Sequence, residues 1–337
     1  MLDYLARLKT AREHMAERNI GLLFLPPGAN LSYLTGVRRQ EQGGTDHNAY
    51  GDTIVGGYIG LQGGVSLLAP RMGGGYYRAE AQDKPWIESV RLIVESESPL
   101  DVLRQTLNRF DLRGQQIALD DRVWARSLLA FQQLLPDARL ALASEILMPL
   151  RMIKSADELA LMRQAGRITE QVFERALARL KAGVTEWDIA AEIDYQFKAL
   201  GAEHTSFVTG IFFAGEAHDR NSVTGRASEK RLLRGDSIMF DFGCVYEGYC
   251  SDFGRTAFCG EPPSEYLRVH ELILRSQRAG IDALKAGQVT GAQVNALARA
   301  VIEDAGYGPY FTHRLGHGIG VTVHEPPWLD VIEQTVL

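Results

Sequence analysis

The sequence predicts an α/β (α+β) protein of two domains, residues 1–150 and 151–337, the second built from two related halves. Three observations carry this reading. Helix-like and strand-like patterns alternate through the first 150 residues. From about residue 151 the texture changes to long helices followed by strand-like runs. The tetrapeptide "LKAG" occurs at 180–183 and again at 284–287, each time between paired helices, so one helix–helix–strand plan recurs.

In the first domain, "MLDYLARLKTAREHMAERN" places Leu5, Leu8, Ala11 and Met15 on one helical face. "IGLLFLPPGAN" then reads as a buried strand closed by proline and glycine. "GGVSLLAP", "VRLIVES" and "QIALDD" read as further strands, with "PLDVLRQTLNRF" and "RSLLAFQQLLP" as helices between them, which predicts a partly parallel sheet. "APRMGGGYY" lacks the spacing and Lys-Ser/Thr ending of a phosphate loop and reads as a turn. In the second domain Ser155 and Glu158 have capping-box spacing before a helix ending at Gly183, and Thr185 and Asp188 open the next. "SFVTGIFFAG" and "DSIMFDFGCVYEGYCSDFGRTAFCG" follow as strands. The order repeats with "SEYLRVHELILRSQRAGIDALKAG" and a helix capped by Thr290 and Gln293. A site between such halves draws residues from both.

Hydrophobic content of 45% and charged content of 23% belong to a globular chain. A net charge of −6 and a pI near 5.8 give no electrostatic reason for nucleic acid or an anionic membrane. The N-terminus is an amphipathic helix rather than a signal peptide. Cys244, Cys250 and Cys259 are odd in number and not spaced as CxxC, which predicts inert thiols in a reducing cytoplasm. No GxSxG is present and no cysteine neighbours a histidine, so a serine or cysteine hydrolase has no support.

Two segments carry chemistry. In "DFGCVYEGYCSD" a turn near Tyr246, Glu247 and Gly248 predicts a hairpin with Asp241 and Asp252 roughly opposite, where cross-strand neighbours lie about 4.5–5.5 Å apart. Two carboxylates that close repel unless a proton or cation lies between them. They are either ligands of a divalent pair, about 3.5–4 Å apart in hydrolytic sites, or exposed strand-end aspartates bonded to backbone. "HRLGHGIGVTVHEPPWLD" holds His313, His317 and His324, three of the chain's eight histidines. His317 stands between two glycines. The odd interval to His324 sends the rings to opposite faces of a regular strand, so a bulge at Gly318 or Gly320 is needed to bring them together. Imidazole with carboxylates suits Mn²⁺, Co²⁺, Zn²⁺ or Fe²⁺.

"DFGCVYEGYCSDFGRT" and "HRLGHGIGVTVHEPP" resemble the two signature segments of the pita-bread metallopeptidases (peptidase family M24). That group includes methionine aminopeptidase, aminopeptidase P, prolidase and creatinase. "LMPLRMIKSADELALMRQAGRI" resembles the entry to their catalytic domain, and "NIGLLFLPPGANLSYLTG" resembles the start of a creatinase-type N-terminal domain. The resemblance implies metal ligation by Asp241, Asp252 and His317, a catalytic His324, and substrate contacts from His218 and His313. It implies two divalent ions, manganese first, and hydrolysis of a small peptide or amide of the Xaa-Pro type by a homodimer. The alternatives are a creatinase- or ectoine-hydrolase-like C–N hydrolase and a non-catalytic binding protein.

Two departures stand out. The stretch from His218 to Asp241 is several residues too long, and Arg220 and Asn221 beside it point to a substrate other than an ordinary Xaa-Pro peptide. The family also supplies two glutamate ligands after the "HEPP" segment, the first in a "PGM…EP" context. "VIEQTVL" is read as stopping short of both, with Glu333 not a ligand and the catalytic domain lacking its C-terminal end. The other alignment makes Glu333 the final ligand. On the first reading the chain is expected to bind a metal pair weakly and to hydrolyse peptides slowly.

Overall fold

Six consecutive buried apolar residues make β1 (Ile20–Leu25) a central strand in the computed structural model, which describes residues 2–39, 50–216, 218 and 226–337. β1 pairs antiparallel with β2 (Gly56–Gly60) and parallel with β5 (Gln116–Leu119). The mixed sheet runs β4 (Ile87–Ile93), β3 (Val65–Pro70), β2, β1, β5, β6 (Leu140–Leu142). Its core joins Leu22, Phe24, Tyr58 and Ile117 to Leu103 of α4 (Pro99–Leu107) and Phe131 of α5 (Ala125–Leu134). The N-terminal helix α1 (Tyr4–Glu17) buries Leu8, Ala11 and Met15, but Leu5 is exposed. The glycine-rich "MGGGYY" is a tight turn leading into a helix: Gly73, at φ 89°, immediately precedes α3 (Gly74–Ala81). β2 was not foreseen, because "GGYIG" offers too few side chains to show a strand period.

The chain divides into two compact units, Met1–Asp157 and Glu158–Leu337. A boundary at 150 would cut α6 (Ser144–Met152), whose Ile146 and Leu147 are fully buried. The division lies instead in the first turn of α7 (Ala156–Arg179).

In the second unit α7 and α8 (Glu186–Ala199) pack on β8 (Gly210–Ala214) and β9 (Ser237–Phe242). β9 alternates strictly: Ile238, Phe240 and Phe242 enter the core with Ile168, Val172, Ile189 and Phe197, while Ser237, Met239 and Asp241 take the other face. Beyond Phe242 come β10 (Cys244–Tyr246) and β11 (Tyr249–Cys250), then β12 (Phe253–Phe258) returns antiparallel to β9. β7 (His204–Thr205) pairs with β10. The second half follows with α9 (Ser264–Ala283), α10 (Gly291–Asp304), β13 (Gly316–Gly318) and β14 (Glu325–Leu329).

The halves repeat at the level of single hydrogen bonds. Thr185 and Thr290 each close a capping box, with Asp188 and Gln293. Thr185 bridges Arg231, and Thr290 bridges Val336 at the same sequence interval. Leu232 N–H donates to Val184 O (2.8 Å) as Leu337 N–H donates to Val289 O (2.9 Å). Trp187 N–H donates to Ser228 O as Ala292 N–H donates to Glu333 O. A carboxylate also lies near this point in each half. In the first half Glu186, 1% exposed, accepts from Phe213 N–H, Ser228 N–H and the Ser228 hydroxyl. In the second half that position is Gly291, and Glu333 folds its stem against it while accepting from Thr335 N–H at 2.9 Å.

Candidate metal-binding active site

The site begins with the β10–β11 turn. Glu247 (φ 46°) and Gly248 (φ 82°) both have positive φ, as a two-residue type I′ hairpin turn requires. Tyr246 faces Tyr249, Val245 faces Cys250, and the same register continues outward to Phe242 opposite Phe253 and Asp241 opposite Gly254. Asp252 therefore falls opposite Gly243. The two aspartates are diagonal neighbours on one face, about 7–8 Å apart at Cα, not directly opposed as the sequence reading had them. The difference arises because the turn is two residues long with a non-glycine residue at positive φ.

Ser251 anchors Asp252. Its buried hydroxyl lies 2.7 Å from Thr169 Oγ1 on α7 and accepts from Cys244 N–H at 2.9 Å, while its carbonyl accepts from the Ser206 hydroxyl. The strands can close over it because position 243 is glycine: a Cβ there would meet Ser251 O at 2.0 Å and Ser206 Oγ at 2.5 Å. Ser251→Ala should cost about 1–2 kcal/mol in stability, since it strands the Cys244 N–H and removes one of the two partners of the Thr169 hydroxyl, which still donates to Ala165 O. It should also loosen Asp252. Thermal unfolding and a metal titration on the variant check both effects; unchanged values in both would show that Ser251 does not hold the strand.

The histidines come from the other half. β13 and β14 pair antiparallel, with His317 opposite Trp328 and Gly318 opposite Glu325, so the ladder slips between them. The extra residues are Pro326 and Pro327 on β14, rather than a bulge at the glycines themselves. Gly318 permits the slip by leaving room for Pro326 O, which lies 2.4 Å from where a Cβ would be. His317 and His324 end with ring centroids 4.4 Å apart. Cys250 N–H donates to Gly320 O at 2.8 Å, tying this loop to the aspartate hairpin of the first half.

His317 Nε2 lies 3.4 Å from Asp252 Oδ2, and its Nδ1–H can donate to Gly318 O at 2.9 Å, which leaves Nε2 facing the carboxylate. Asp252, His317 and His324 each offer a ligand atom within 4.8 Å of the others. Burial and the Asp252 charge raise Asp241's affinity for a proton, partly offset by His324. Asp252 holds His317 above the usual imidazole range, while burial and the neighbouring His317 lower His324. Hard oxygen and imidazole donors around a locus of carboxylate repulsion fit a divalent cation.

The structure gives His218 and His313 other surroundings. His218 Nε2 lies 2.9 Å from the buried Asp236, whose Oδ2 also accepts from Leu233 N–H. Asp236 adjoins the Ser237 end of the β8–β9 pairing, where Ala214 faces Ser237, whereas Asp241 faces Gly210 at the other end. Asp236, the partner of His218, is five residues from Asp241, roughly 16 Å along an extended strand. His313 is exposed, its Nδ1 2.6 Å from Arg314 O, and it borders an apolar groove of about 510 Å³ on α9 rather than the histidine–aspartate cluster. Glu333 is occupied at the α10 N-terminus as described above. Arg220 and Asn221 lie outside the described residues. All three cysteines are free, and burial raises the Cys244 thiol.

Comparison with known proteins decides the lineage. Residues 160–337 match the metallopeptidase family M24, and residues 7–153 match the creatinase/prolidase N-terminal domain. The chain belongs to metallopeptidase family M24. Similar members include a Xaa-Pro dipeptidase of Pyrococcus furiosus, 28% identical over 98% of this chain and 86% of its own. The solved prolidase of Thermococcus sibiricus superposes with a TM-score of 0.86 at 28% identity, covering 100% of this chain and 87% of that one. The dipeptidase PepE of Mycobacterium ulcerans gives 0.80 at 31% identity, covering 99% and 85%. This M24 chain is accordingly a hydrolase of a metal-dependent family. Sequence reasoning missed Ser251, whose signal was a hydroxyl beside a candidate ligand in an apolar strand. It also missed the pairing of Arg314 with Trp328, whose guanidinium carbon sits 4.4 Å from the indole centroid.

Proposed function

We propose that this M24 hydrolase is an Xaa-Pro dipeptidase-like enzyme working with two divalent cations, manganese by preference, as a cytoplasmic homodimer. The observation that carries the proposal is the convergence of Asp252, His317 and His324 from two separate halves on one locus, with Asp241 alongside. The dipeptidase and prolidase relatives supply the substrate class. Asp241, Asp252 and His317 are assigned as ligands. Cations held there would supply the positive charge that acidifies water and polarises a peptide carbonyl. His324, whose proton affinity burial and the neighbouring His317 lower, is assigned a hydrogen bond to the substrate carbonyl, where negative charge develops as the amide is attacked. The test is hydrolysis of Ala-Pro, with Ala-Ala, creatine and an ectoine-type amide as comparators, after metal stripping and after addition of Mn²⁺, Co²⁺, Zn²⁺ or Fe²⁺. Metal-restored cleavage of Ala-Pro well above the others is expected. Preferential cleavage of a non-peptide C–N bond would shift the reading to a creatinase-like hydrolase, and protein that takes up no metal and stays inert to all four substrates after metal addition would favour a binding role.

A further inference from the structure

Helix α7 holds the returning strand of the aspartate hairpin through alternate residues. Thr169 meets Ser251, as described, and Glu158 in the first turn of α7 accepts from the Tyr249 hydroxyl at 3.0 Å. Both partners of the second contact are buried, Glu158 at 4% exposure and Tyr249 at 1%. Burying a carboxylate is costly unless hydrogen bonds compensate it, so a hydroxyl aimed at one this deep is a strong directional tie. Glu158 and Thr169 stand eleven residues apart, about 16 Å along the helix. Tyr249 and Ser251 are two residues apart, about 7 Å, and the long phenol spans the difference. One contact would fix where the strand sits on α7; two fix its direction as well. That direction matters on both sides of Tyr249. Before it lies the turn in which Glu247 keeps φ at 46°, a conformation that persists only where its surroundings determine it. After it, Cys250 N–H donates to Gly320 O in the histidine loop, and Asp252 lies 3.4 Å from His317.

We propose that Glu158 is a positioning residue: through the Tyr249 hydroxyl it sets the angle of the aspartate hairpin on α7, and so the spacing between Asp252 and the histidine pair. This rests on the reading of that cluster as a cation site. Cation affinity depends on ligand atoms standing at their bonding distances before the ion arrives, and groups behind the ligands typically govern it by about 10–100-fold. Removing the phenol hydroxyl alone frees the strand to rock about its Ser251 contact.

The experiment compares the unmodified protein with Tyr249→Phe, Glu158→Gln and Ser276→Ala. Tyr249→Phe removes a single oxygen atom, and Glu158→Gln keeps an acceptor of the same reach. Ser276→Ala is the stability control, losing a buried hydroxyl that donates to Ala298 O between α9 and α10. The readings are the urea midpoint, Mn²⁺ affinity by calorimetry, and the ring-nitrogen NMR shifts of His317 and His324 in EDTA-treated protein at fixed pH. Tyr249→Phe should weaken Mn²⁺ binding by about 10–100-fold and move the His317 signals before any metal is added. Glu158→Gln should retain most of the affinity. Ser276→Ala should lower the midpoint while both site readings stay at wild-type values. If Tyr249→Phe is destabilised yet leaves Mn²⁺ affinity and the histidine signals unchanged, the contact is only structural and the assignment is overturned. It is equally overturned if Ser276→Ala moves the site readings as much. If the wild type takes up no Mn²⁺ but Tyr249→Phe alone moves His317, the positioning role is upheld and the cation reading fails.

Discussion

Replacing Asp252 with asparagine is expected to abolish the metal-dependent turnover that this chain shows, with a large loss of metal affinity. Asp252 is the most connected group of the cluster. It sits 3.4 Å from His317 Nε2, is the charge that raises Asp241's affinity for a proton, and acts on His324. Asparagine keeps the shape and removes the charge, so the fold should survive while the locus loses a carboxylate. Elemental analysis after dialysis, run beside the Ala-Pro assay, reads both effects. Glu333→Gln is the matched control: its carboxylate accepts from Thr335 N–H at the α10 N-terminus, and metal content should not change. Wild-type metal content in Asp252→Asn, or its loss in Glu333→Gln, would overturn this division of roles.

The second large effect concerns stability. Glu186→Ala should cost about 3–5 kcal/mol, seen as a lowered urea midpoint, because it leaves two backbone N–H groups and the Lys230 ammonium without their buried carboxylate. Glu186→Gln, which keeps an acceptor of the same reach, should cost clearly less. Glu333→Ala, the counterpart in the second half, should cost only about 1 kcal/mol, since Glu333 is partly exposed and its bond to Thr335 is local. Equal losses at both positions would show that burial of Glu186 is not what matters.

Much of this architecture is legible in the chain itself. The alternation of Ile238, Phe240 and Phe242 announces a half-buried strand and places Asp241 on its open face. Thr185 with Asp188, and Thr290 with Gln293, mark the helix starts that prove to be equivalent. Other features depend on contacts distant in sequence. The diagonal offset of the aspartates follows from Glu247 adopting positive φ, which its residue type does not advertise. The meeting of His317 with His324 depends on two extra residues in the opposing strand, Pro326 and Pro327. His218 was placed by motif order alone, and only tertiary packing reveals its attachment to the buried Asp236.

Gly243 and Gly254 sit two residues beyond the two aspartates in the same hairpin, yet they set different limits on inheritance. A side chain at 254 would find its nearest neighbour at 3.9 Å, an ordinary contact, whereas one at 243 would collide with backbone at 2.0 Å. In a library randomised across 241–254 and selected only for soluble protein, survivors should be nearly monomorphic at 243 and varied at 254. The aspartates should drift freely under that selection and become fixed only when catalysis is demanded as well. Sequencing the two pools would separate the codons kept by folding from those kept by chemistry, within one fourteen-residue window (241–254).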